Sequence, residues 1–210
     1  MNGPLSLAFV ATSLVLAVTP GPGVVYIVAR TAAQGRPAGL ASVGGVALGN
    51  LCNAVAASLG LAALFAASAT VFAVVRLAGA AYLVYLGLRM LRPPDPAAQA
   101  SAFGAADLPR IFRDGFAVAL LNPKTALFFA ALLPQFIDPS GSAALQGALL
   151  SVIFVGIALL TDTAYVLLAG VARQRLGDGA ATRRLGRHAA AATLVGLGVF
   201  AALSGSRGAR

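Results

Sequence analysis

Three places in an otherwise apolar chain carry groups that could do chemistry. The first is Thr19-Pro20-Gly21-Pro22, in the middle of an uncharged run from Leu5 to Ala29. A run of that length can cross a bilayer, which needs roughly 20 apolar residues. Each proline lacks an N–H and crowds the carbonyl four residues back, so the helix must break there. In lipid, freed backbone groups persist only where protein or a water-filled cavity satisfies them. A break at membrane depth therefore points to a binding site more than to an anchor. The second place is Asn122-Pro123-Lys124, where another proline interrupts another apolar run. Asn122 offers two donors and an acceptor, and a half-helix start there would attract a carboxylate. The third is Asp162, the one carboxylate well inside a predicted span. An ion at that depth costs about 2.5–3.5 kcal/mol on insertion scales, so it faces a cavity or a partner. It could hold a substrate ammonium, carry a proton, or pair with Lys124. Tyr165, three residues on, shares its helix face. Asn50 and Asn53 are polar enough to reach the same cavity from a glycine-rich stretch whose small residues allow close helix packing.

The elements that must position these groups are transmembrane helices. The chain is 59% hydrophobic and 10% charged, with a mean hydropathy of +0.88. That composition specifies a polytopic membrane protein. Six spans are expected, at about 6–29, 39–61, 71–91, 111–134, 145–170 and 188–205, with edges uncertain by a few residues. A hairpin between the second and third spans falls around Ala66 to Thr70. The +9 net charge sits between the apolar runs and sets orientation, not nucleic-acid binding. Arg30 and Arg36, then Arg89, Arg92, Arg110 and Arg113, then Arg173, Arg175, Arg183, Arg184 and Arg187 fill the first, third and fifth connections. The second and fourth connections hold no basic residue. The positive-inside bias places the odd connections in the cytoplasm and both termini outside.

The two halves resemble one another. Phe9, Pro20 and Val24 align with Phe112, Pro123 and Leu127 at an offset of 103, and Arg76 to Leu88 aligns with Arg187 to Val199 at an offset of 111. Three spans per half is an odd number, so the repeats have opposite orientations, an arrangement typical of secondary transporters. The expected architecture is all-α: six transmembrane helices in two inverted three-helix repeats with broken first helices. Residues 1–92 form the first repeat, 93–110 a cytoplasmic linker and 111–210 the second repeat. Arg76 is expected at a helix start, like Arg187, snorkelling outward.

Several activities lack their residues. There is no phosphate-binding Gly-x-x-x-x-Gly-Lys-Ser/Thr loop for ATP-driven pumping and no Gly-x-Ser-x-Gly. The single Cys52 and single His188 exclude an internal disulfide and disfavour a metal cluster. The sequence indicates neither an enzyme nor a cofactor.

Several stretches together resemble the LysE/RhtB family of bacterial amino-acid exporters, over nearly the whole length. They are Thr19-Pro20-Gly21-Pro22, Gly35-Arg36 with the glycine-rich Gly39 to Asn50, and Leu77 to Gly87. In the second half they are Phe112-Arg113-Asp114-Gly115-Phe116, Leu121-Asn122-Pro123-Lys124 and Leu133-Pro134-Gln135-Phe136. The resemblance implies an inner-membrane secondary transporter that exports amino acids or close derivatives, coupled to the proton gradient. The expected partners are a small amino-acid substrate and the lipid bilayer, with a homodimer possible through small-residue faces such as Gly45/Gly49. Export of another small metabolite or ion is one alternative. A non-transporting membrane scaffold is another, but it would need neither Asp162 nor the two breaks.

Overall fold

The computed structural model describes residues 3–58, 69–91, 107–138, 140–176 and 180–203. Among them are eight α-helices and no strand. They are α1 (Gly3–Val18), α2 (Pro22–Gln34), α3 (Arg36–Ser58), α4 (Ala69–Leu91), α5 (Leu108–Leu120), α6 (Pro123–Leu132), α7 (Ala143–Leu176) and α8 (Ala180–Leu203), with a short 3-10 turn at Leu133–Phe136 after α6. Helices α3, α4 and α7 are each long and apolar enough to cross a bilayer, and α1 with α2, bent by 48° at the break, passes the same test as a pair. The chain is a multi-pass helical membrane protein.

Both breaks fall where the prolines predict them. Helix α1 stops at Val18, and α2 restarts with Pro22 in its first turn, where a missing N–H costs nothing. Helix α5 stops at Leu120 and α6 restarts at Pro123, with the Asn122 side chain accepting a hydrogen bond from the Lys124 amide at 3.1 Å. Asp107 caps α5 in the same way by accepting from the Arg110 amide. Helices α2 and α3 meet at Gly35, whose φ of +88° closes α2 and is open to glycine at little cost. The predicted hairpin lies mostly outside the described residues, and α4 has already begun at Ala69. Most of the predicted linker also lies outside them, but Leu108 to Arg110 belong to α5.

Packing rests on close backbone approach. A Cβ on Gly45 would meet the Phe112 carbonyl, and one on Gly49 would lie 2.6 Å from the Phe116 carbonyl. The small-residue face of α3 is thus spent on α5 of the same chain, which corrects the expectation that Gly45/Gly49 serve a homodimer. Helices α4 and α8 pack reciprocally. A Cβ on Gly87 would lie 2.8 Å from the Ala191 carbonyl, and one on Gly198 would lie 2.7 Å from the Ala80 carbonyl. Those four positions are related by the offset of 111. Arg76 and Arg187 sit two turns inside their helices, not at the starts.

One end of the bundle gathers described residues that flank the first, third and fifth connections. Arg173 lies against Gly35 and Arg36 against Gly170, while Arg30 reaches Asp114. At the other end, Ser58 meets Gly147.

Candidate functional site

The two breaks face one another across a cavity of about 50 Å³. Leu16, Ala17, Gly21, Gly23 and Val24 line it from the first break, and Asn122, Lys124 and Thr125 from the second. Helix α3 contributes Val46 and Asn50, and α7 contributes Phe154, Ala158 and Asp162. The starts of α2 and α6 both adjoin this space, and the partial positive charge of a helix start favours an anion.

The loose ends of α1 are satisfied by side chains from far along the chain. Val15 accepts from the Thr19 hydroxyl at 2.6 Å and from the Thr19 amide. Lys124 Nζ donates to the Leu16 carbonyl at 3.0 Å and to the Thr19 carbonyl at 2.6 Å. The Tyr165 hydroxyl donates to the Val18 carbonyl at 2.7 Å. At the second break the Ala119 carbonyl accepts from Asn53 Nδ2 at 2.9 Å, and Asn122 Nδ2 donates to the Thr125 hydroxyl. This is the accounting a membrane interior demands, since an unsatisfied backbone group there costs several kcal/mol.

Two cavity groups stand outside that accounting. Asn50 is buried, and its Oδ1 has no hydrogen-bond partner. Asp162 is only 5% exposed, and among the described residues its carboxylate makes no ion pair or hydrogen bond. Lys124 is not its partner, because the ammonium is spent on the α1 carbonyls. A buried carboxylate without a partner is costly, and a cation or a proton relieves that cost.

Of the residues expected at the site, the structure gathers Gly21, Asn50, Asn122, Lys124 and Asp162 on the cavity wall. Pro22 and Pro123 stand in the first turns of α2 and α6 and shape the breaks. Thr19 and Pro20 are exposed at the break. Asn53 and Tyr165 lie off the wall, holding carbonyls.

Sequence reasoning passed over a second buried carboxylate, Asp114, which is 6% exposed. Arg30 Nη2 donates to its Oδ2 at 3.0 Å, the Tyr82 hydroxyl donates to its Oδ1 at 3.1 Å, and an Arg89 guanidinium nitrogen lies 3.6 Å from Oδ2. Arg30 Nε also donates to the Tyr26 hydroxyl, which donates in turn to the Ile111 carbonyl. The sequence shows Arg113-Asp114 at a span edge, where charge is unremarkable. Its partners lie on two other helices, one of them 84 residues away.

A multi-pass helical membrane protein whose cavity lies between two broken helices has the architecture of a membrane transport protein. The model of the LysE type translocators matches residues 14–205, and the chain belongs to that family. It is 33% identical over 171 residues to a homoserine/homoserine lactone efflux protein of Salmonella typhimurium, covering 77% of this chain and 79% of that one. An uncharacterized membrane protein of Vibrio cholerae is 32% identical over 163 residues, covering 78% and 80%. A leucine efflux protein of Salmonella choleraesuis is 29% identical over 136 residues, or 62% of each chain. No solved structure matches.

Proposed function

We propose that the protein exports amino acids or close derivatives from the cytoplasm, by alternating access and in exchange for protons. The observation that carries this reading is the buried, unpartnered carboxylate of Asp162, across a cavity from two half-helix starts. A zwitterion fits that pattern: its ammonium would sit at Asp162 and its carboxylate at the starts of α2 and α6. Its other polar atoms would meet Asn50 and Asn122. The efflux proteins among the relatives support amino-acid cargo. A cavity of about 50 Å³ is well below the roughly 300–1,000 Å³ of ligand pockets, so admitting cargo requires helices to part. Asp162 would take a proton from one side when cargo leaves and give it up when cargo binds from the other. That exchange couples the two flows.

We place the protein in the inner membrane with both termini outside, on the charge of the odd connections. The meeting of their described flanks, Arg36 with Gly170 and Arg30 with Asp114, supports this orientation. A thiol-reactive, membrane-impermeant reagent should label a cysteine at Ser140 in intact cells and not one at Arg175; the reverse pattern would invert the protein. We also read the chain as two inverted repeats, and the reciprocal Gly87 and Gly198 contacts support that reading.

The functional test is efflux of radiolabelled amino acids from reconstituted vesicles, with and without an imposed pH gradient, normalised to inserted protein. Asp162→Asn keeps the shape and removes both the charge and the transferable proton, so it should lose gradient-driven efflux. Asp162→Glu moves the carboxylate by one methylene and should keep part of it. Gradient-stimulated efflux by Asp162→Asn equal to wild type would remove Asp162 from the mechanism.

A further inference from the structure

The Arg30–Asp114–Arg89 cluster lies apart from the cavity, in the halves of α2, α4 and α5 nearest the basic connections. It joins three helices that would have to separate for cargo to reach the cavity from that end. Its charges do not balance: two guanidinium groups share one carboxylate, and among the described residues no second carboxylate lies within ion-pair distance. Each guanidinium nitrogen of Arg30 already donates, to Tyr26, Gln34 and Asp114. Among the described residues Arg89 has its loose 3.6 Å pairing alone, and its side chain is 21% exposed against 9% for the other two. The cluster therefore has a reachable cation with unused donors, beside a carboxylate that can change partners.

A buried ionic cluster is often no more stabilising than apolar residues of similar size, while removing one member leaves the others uncompensated. It suits a contact that must be exchanged more than one that must only hold.

We propose that Arg30, Asp114 and Arg89 form a second, inner binding site for a zwitterionic amino acid, and that its occupancy unlocks the path to the cavity. The incoming carboxylate takes Arg89, for which the guanidinium fork is shaped. The incoming ammonium takes Asp114. The exchange conserves charge, loosens the tie between α5 and both α2 and α4, and lets the helices part. A molecule without the carboxylate has nothing to offer Arg89. This proposal rests on the export reading and on the basic end facing the cytoplasm.

The test uses the full chain with Cys52→Ser and Ala158→Cys, which places one thiol on the cavity wall. In inverted membrane vesicles a maleimide approaches from the former cytoplasmic face. Arg89→Gln in that background should speed labelling about tenfold, an ordinary size for coupling between two sites. Asp114→Asn should do the same. Leucine or homoserine, whichever the wild-type chain exports, should also speed labelling of this thiol-bearing chain. The methyl ester of leucine should not, and Arg89→Gln should remove the response to the free amino acid. Arg89 is partly exposed, so this variant keeps the chain folded even if Asp114→Asn does not accumulate. Unchanged labelling in Arg89→Gln at parental abundance overturns the lock. Faster labelling in the variants with an equal response to acid and ester overturns the carboxylate site. Export of neither amino acid counts against the export reading, while faster labelling in the variants still upholds the lock.

Discussion

The two ends of the molecule are closed by different chemistry. On the basic side of the breaks, Arg30, Asp114, Arg89 and Tyr82 tie α2, α4 and α5 through directional polar contacts. On the far side, Phe9, Phe128, Phe129, Phe136 and Phe154 pack ring on ring across α1, α6, the turn after α6 and α7, with centroids 4.8–6.3 Å apart. Aromatic contacts are broad and tolerate several geometries, so that end can open by repacking. An ionic tie has discrete partners, and another charged molecule can compete for them. On the proposed export reading, the two ends would open by different means, one by exchange of ionic partners and one by repacking of rings.

Breaking the ionic end from one side should have the largest effect. Asp114→Ala leaves the buried Arg30 guanidinium and the part-exposed one of Arg89 without their carboxylate, and losing one member of a buried pair costs about 3–5 kcal/mol. Chemical unfolding in detergent should show a fall of that size, with reduced membrane abundance. Replacing the whole cluster, as Arg30→Met with Asp114→Leu and Arg89→Met, should act oppositely on stability. Such exchanges are neutral or stabilising by about 1–4 kcal/mol. This triple variant should insert and fold at least as well as wild type, yet lose export. Wild-type export by the triple variant would reduce the cluster to glue and end the comparison. At the aromatic end, Phe154→Leu should cost less than about 1.5 kcal/mol, as volume-conserving core changes usually do, and export should survive. If it is lost while stability holds, the aromatic end is as exacting as the ionic one.

The smallest effect lies in the loop beyond the aromatic end. Asp138 accepts from the hydroxyl and amide of Ser140, which holds its carboxyl below the ordinary value of 3.8. A carboxyl depressed in the folded state contributes stability that is present above its unfolded value and lost as pH falls through its folded one. Amide exchange in residues 140–142 should therefore quicken only below that ordinary value. Ser140→Ala should shift the onset upward, with no change in export at neutral pH.

The sequence determined the broken helices. Proline lacks a donor wherever the chain folds, so Pro20, Pro22 and Pro123 mark both interruptions without reference to any neighbour. Long uncharged runs determined the helical membrane class for a similar reason: lipid supplies no hydrogen bonds, so the backbone must supply its own. Asp162 was legible because a carboxylate in an apolar run is expensive wherever it points. Partnership was decided only by the tertiary structure. Lys124 was a natural mate for Asp162 in sequence, yet it serves the Leu16 and Thr19 carbonyls. Asn53 seemed a cavity residue, yet it holds the Ala119 carbonyl. Asp114 stood in the sequence only as part of a motif at a span edge, yet it is the hub of a three-helix cluster. Periodicity assigns a residue to a face of its own helix, but an ion pair or a shared carbonyl depends on which face of which other helix lies within about 3 Å, and only packing sets that.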